Sequence, residues 1–103
     1  ARFEVPLIGK FNIYNVLGAI GIGLHLGFSL EKLYEAALHL RGAPGRLQKA
    51  SANIFIDYAH TGESLAQVLS ALKALNPKRL WVLFGAGGDR DPNRRGQMTE
   101  AAE

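Results

Sequence analysis

Apolar residues run almost unbroken through residues 12–26, Asn-Ile-Tyr-Asn-Val-Leu-Gly-Ala-Ile-Gly-Ile-Gly-Leu-His-Leu. The stretch is too short to span a bilayer and carries Asn12, Asn15 and His25, so the pattern predicts a buried globular helix ended by Gly27. Gly18, Gly21 and Gly23 each cost a helix about 1 kcal/mol relative to Ala, and close packing on another element is the usual compensation. Ser29 is expected to cap a second helix with Glu31 in its first turn. Leu30, Leu33, Tyr34, Ala37 and Leu38 share one face of that helix, and Gly42 is expected to stop it. Ahead of both helices, residues 3–8 are extended in character, and Pro6 confines them to an edge or a strand end.

The pattern changes at the breaker cluster Gly42-Ala43-Pro44-Gly45. Residues 47–51 read as a short strand. Ile54-Phe55-Ile56 is a buried strand closing in Asp57, His60 and the helix-capping hydroxyl of Thr61. Leu65, Val68, Leu69, Leu72 and Leu75 recur at helical spacing until Asn76-Pro77. Leu80-Trp81-Val82-Leu83-Phe84 reads as a second fully buried strand, followed by the Gly-rich loop 85–91 and a helix beginning near Arg94. Strand, helix, strand, loop and helix make a βαβα unit with a parallel crossover, the start of a Rossmann-like domain. The expected fold class is therefore α/β, helical up to residue 43 and Rossmann-like from residue 44 on.

Composition narrows this only a little. At 103 residues the chain is short for a complete enzyme, and with no initiator Met and an end inside a helical pattern it is expected to be a piece of a larger protein. It has no cysteine, which excludes disulfides and thiolate metal sites. A net charge of +3 with mixed signs and no like-charge run argues against a nucleic-acid tail, and no secretion signal is visible.

The candidate chemistry is spread along the chain. Asn12 and Asn15, three apart on a helix, face roughly one way; their amides can read a purine edge, or serve as an N-cap and a satisfied buried amide. Asp57 and His60 stand at a strand's carboxyl end, where open α/β sheets bind ligands, or mark an ordinary strand-to-helix junction. Arg46 can reach a phosphate or ribose, or be a solvated arginine. The loop Gly85-Ala86-Gly87-Gly88-Asp89-Arg90 is neither a dinucleotide fingerprint nor a Walker A loop. Its glycines still admit close backbone approach to a ligand. Arg90 can clamp a carboxylate with two hydrogen bonds, or pair structurally with Asp89 and Asp91. His25 and His39 read as packing residues, and three scattered histidines make no metal site.

Four ordered blocks resemble the Mur ligases, ATP-dependent amide-forming enzymes of bacterial peptidoglycan synthesis, and among them most closely the tripeptide synthetases of the MurE type. The blocks are residues 6–15 (Pro-Leu-Ile-Gly-Lys-Phe-Asn-Ile-Tyr-Asn), residues 42–46 (Gly-Ala-Pro-Gly-Arg), residues 57–61 (Asp-Tyr-Ala-His-Thr) and residues 84–91 (Phe-Gly-Ala-Gly-Gly-Asp-Arg-Asp). The resemblance implies that residues 1–43 end a central ATP-binding domain and that residues 44–103 begin a C-terminal Rossmann-like domain. It implies that Asn12 and Asn15 lie by the base, that Arg46 and Asp57 contact the phosphate and ribose with His60 beside them, and that Arg90 meets the carboxylate of the incoming amino acid. Asp57 is then expected to matter more for nucleotide binding than for folding.

The implied reaction is phosphorylation of a D-Glu carboxylate by ATP, then attack of an amino acid's amine on the acyl phosphate. Its substrates are a UDP-N-acetylmuramoyl-dipeptide and a diamino acid, diaminopimelate or lysine. Mg²⁺ is implied with ligands outside these residues, as are a cytoplasmic bacterial location, a monomeric full-length enzyme, no nucleic-acid or membrane partner, and no activity in these 103 residues alone. Gly62 and Gly96 stand where the family usually has Pro, a change that loosens the backbone without removing a catalytic group. Cyanophycin or folylpolyglutamate synthetases are the nearest alternatives, and a non-catalytic nucleotide-binding or interaction domain is the alternative of another class.

Overall fold

Four helices and one two-stranded sheet form in the computed structural model, which describes residues 2–85, 87 and 93–103. They fall into two units, Ala1–Pro44 and Gly45–Glu103.

The first unit holds α1 (Phe11–His25) and α2 (Leu30–Leu38). α1 closes on Gly27, whose φ of +85° is the left-handed conformation that glycine adopts without strain. Gly27 N–H donates to the Leu24 carbonyl and Phe28 N–H to the Gly23 carbonyl, so two carbonyls of the last turn are satisfied by a Schellman arrangement. Of the three α1 glycines, Gly23 carries the close packing. A Cβ there would lie 2.5 Å from Leu33 Cδ2 of α2, whereas Gly18 and Gly21 face open space. Ser29 caps α2 as expected, its Oγ accepting from Lys32 N–H at 3.4 Å. Beside it, hydrogen bonds from the Glu31 backbone N–H and then from Ser29 hold the Glu31 carboxyl below its ordinary value. α2 ends at Leu38 with His39 as its C-cap, before Gly42 is reached. His25 and His39 are exposed rather than packed, a correction: each sits at a helix end, where an imidazole reaches water.

The second unit opens with β1 (Gln48–Ser51), which pairs antiparallel with β2 (Ile54–Ile56) around a turn at residues 52–53. Lys49 faces Phe55, and the register slips by one residue between Lys49 and Ser51. α3 (Gly62–Lys73) and α4 (Asn93–Ala102) then pack on one another. Leu65 and Leu69 of α3 close over Met98 of α4, which is 1% exposed; Ala59, Leu80, Ala101 and Ala102 pack around them. Gly62 makes this approach possible, since a Cβ on it would stand 2.7 Å from the Gln97 carbonyl oxygen.

The parallel crossover is not present among the described residues. β2 is half of a hairpin with Ile54 and Ile56 exposed, and the run 80–84 pairs with no strand. Trp81 is 84% and Leu83 100% exposed. An apolar run becomes a two-faced buried strand only when neighbouring strands and covering helices exist, and α3 and α4 spend their apolar faces on each other. The mixture of helix and sheet is as the α/β reading requires.

Candidate nucleotide site at the end of the hairpin

Asp57 follows β2 directly, and its carboxylate is spoken for at both oxygens. Oδ2 accepts from Leu47 N–H and Oδ1 from Ala59 N–H, each at 2.7 Å. The first contact reaches back ten residues to the turn that carries Arg46. There Pro44 precedes Gly45, whose φ of +68° is a turn conformation that glycine adopts without strain. Leu47 follows at φ +46°, a left-handed value a branched side chain adopts only when its surroundings impose it. Those surroundings are burial of its side chain and the bond from its N–H to Asp57. Gly45 N–H is taken by Gln48 Oε1 at 2.9 Å, and the Gly45 carbonyl accepts Tyr58 N–H at 2.8 Å. Asp57 is thus a structural acceptor as well as a ligand candidate, which revises the expectation that folding would be largely indifferent to it.

Arg46, Tyr58 and His60 are exposed around this clamp. The Arg46 guanidinium carbon lies 5.7 Å from the Tyr58 ring centroid, and the His60 ring lies 5.5 Å from it on centroids. His60 Nδ1 is 3.1 Å from the Tyr58 carbonyl. A carbonyl can only accept, so in that hydrogen bond Nδ1 is the donor. Thr61 turns the chain into α3 by a capping box: its Oγ1 accepts from Ser64 N–H and Ser64 Oγ accepts from Thr61 N–H, both at 3.1 Å. The sequence-predicted Arg46, Asp57 and His60 therefore come together in one place.

Asn12 and Asn15 belong to the first unit. Neither is the N-cap of α1, which is Lys10. Asn12 Nδ2 donates to the Ile8 carbonyl at 2.7 Å, and Asn15 Nδ2 donates to Asn12 Oδ1 at 3.1 Å. Asn12 is half-buried in this chain of amides, and Asn15 is exposed. Arg90 lies outside the described residues. Tyr58 was given no role in the sequence, and Gly62 was read only as a loosened backbone, not as the seat for the Gln97 main chain. The signal for Tyr58 was its place between two ligand candidates; for Gly62 it was the departure from proline. Among the described residues no group of three His, Cys, Asp or Glu is placed to hold a metal ion, and no helix is long and apolar enough to cross a membrane.

Residues 45–103, more than half of the chain, match the family described as Mur ligase, glutamate ligase domain. The chain belongs to the Mur ligase family. Among similar Mur ligases, the UDP-N-acetylmuramoyl-L-alanyl-D-glutamate–2,6-diaminopimelate ligase of Fusobacterium nucleatum is 40% identical over 107 residues, covering 99% of this chain and 22% of its own length. The ligase of the same name from Solibacter usitatus is 40% identical over 103 residues, covering 96% and 21%. A solved structure of a ligase so named superposes with a TM-score of 0.60 at 43% identity, over 97% of this chain and 21% of that one. The chain spans about a fifth of the length of these Mur ligases. Its α/β fold is that of a Mur ligase fragment, with the matched domain beginning at the turn that Asp57 clamps.

Proposed function

We propose that this chain is part of an ATP-dependent ligase that joins diaminopimelate to UDP-N-acetylmuramoyl-L-alanyl-D-glutamate. One observation carries the reading: Mur ligases bearing that activity in their names align over nearly the whole chain at about 40% identity. Those names favour diaminopimelate over lysine. Residues 1–43 are read as the end of the central ATP-binding domain and residues 44–103 as the start of the C-terminal domain.

In this reading ATP transfers its γ-phosphoryl group to the D-Glu carboxylate, and the amine of diaminopimelate displaces phosphate from the acyl phosphate. Catalysis of that kind is mostly positioning and charge neutralisation. Arg46 offsets phosphate charge. Asp57 keeps lone pairs for the ribose beyond its two backbone donors, with His60 beside it. Asn15, held by Asn12, faces the base. Arg90 grips the amino acid's carboxylate. Mg²⁺ belongs to this reading through the family alone, with its ligands assigned to the rest of the longer protein, as is the remainder of the active site. The full-length enzyme is read as a cytoplasmic monomer.

The test is phosphate release by the full-length protein with ATP, Mg²⁺ and the UDP-dipeptide, comparing diaminopimelate with lysine. Release that depends on diaminopimelate is expected. Release with lysine alone would overturn the substrate assignment, and release with neither would overturn the ligase reading.

A further inference from the structure

We infer that Tyr58 is a positioning residue whose ring holds the Arg46 guanidinium ready for an anionic ligand, an inference that rests on the nucleotide-binding reading of Arg46. The ring is 68% exposed, so burial does not account for a large aromatic at this point of the fold. What it touches does. The Arg46 guanidinium lies over it at 5.7 Å, within the range at which the negative face of an aromatic ring attracts a cation. The Tyr58 main chain is fixed at both ends, by its N–H to the Gly45 carbonyl at 2.8 Å and by its own carbonyl to His60 Nδ1 at 3.1 Å. One residue therefore ties the backbone of the Arg46 turn by hydrogen bonding and the Arg46 side chain by its ring.

The choice of a ring over a carboxylate has a chemical consequence. Among the described residues no carboxylate lies within salt-bridge distance of Arg46. A carboxylate partner would also orient the guanidinium, but it would cancel the charge that a phosphate needs. An aromatic face restricts the side chain while leaving that charge uncompensated, and ordering it beforehand lessens what binding must spend on it.

The experiment is steady-state kinetics of the full-length enzyme with ATP varied, for Tyr58→Leu, Tyr58→Phe, Arg46→Ala and the double variant Tyr58→Leu/Arg46→Ala. Tyr58→Leu is expected to raise KM for ATP about two- to fivefold, the scale of an exposed cation–π contact. The KM values of the other substrates and the melting temperature should hold. Tyr58→Phe, which keeps the ring, recovers most of the loss, and in the Arg46→Ala background the leucine substitution has no further effect. The same rise in both backgrounds would mean that Tyr58 touches the ligand itself, and the positioning role would fall. Arg46→Ala raising KM while Tyr58→Leu does not would also remove it, leaving the ATP reading of Arg46 intact. An Arg46→Ala enzyme with unchanged KM would overturn both.

Discussion

Asp57→Ala removes the acceptor of two backbone N–H groups at once, those of Leu47 and Ala59, each held at 2.7 Å. A hydrogen bond to a charged group contributes about 1.5–3 kcal/mol, and because Asp57 is only half-buried the low end applies to each. Leu47 also sits at φ +46°, a conformation that costs a residue with a side chain roughly 1–2 kcal/mol and that this bond helps impose. Relaxation of the turn recovers part of the loss, leaving about 2–3 kcal/mol of local stability missing in the variant. Amide hydrogen exchange of the full-length protein reads this directly: exchange at Leu47 should speed up by about 30- to 140-fold, since each 1.4 kcal/mol is a factor of ten. Asp57→Asn keeps one accepting oxygen and turns an NH₂ towards the other donor, so it should lose about half as much. Unchanged exchange at Leu47 in Asp57→Ala, with a raised KM for ATP, would show that the carboxylate serves the nucleotide alone and that both contacts are energetically idle.

Three further outcomes follow from the packing of the second unit. Thr61→Ala should cost about 1 kcal/mol in chemical denaturation through loss of the capping box, with Ser64→Ala smaller; a neutral Thr61→Ala would mean the cap is replaced by water. Gly62→Ala should destabilise by about 1–3 kcal/mol because its Cβ meets the Gln97 backbone, and a stabilising effect, as for an open helical glycine, would refute that contact. Met98→Ala, at a side chain 1% exposed between α3 and α4, should cost about 2–5 kcal/mol in the same assay, and a loss well below that would place the core elsewhere.

Much of this molecule was determined locally and was therefore legible in the sequence. Ser29 and Thr61 cap helices because a hydroxyl next to free N–H groups binds them whatever surrounds it, and Gly27 ends α1 for an equally local reason. The spacing of Leu65, Leu69 and Leu72 gave the buried face of α3, and the four motif blocks gave the family. Pairing was different. Whether Ile54-Phe55-Ile56 lies in a parallel sheet or folds back on residues 48–51 depends on which strand is within reach, and an apolar run carries no record of its partner. Contacts made across the chain were equally silent. The bond from Leu47 to Asp57, the Arg46 guanidinium over Tyr58 and the seat of Gly62 against Gln97 join residues 10, 12 and 35 apart in sequence. Only the tertiary structure brings them within a few ångströms, because each contact forms after the turns between them have closed.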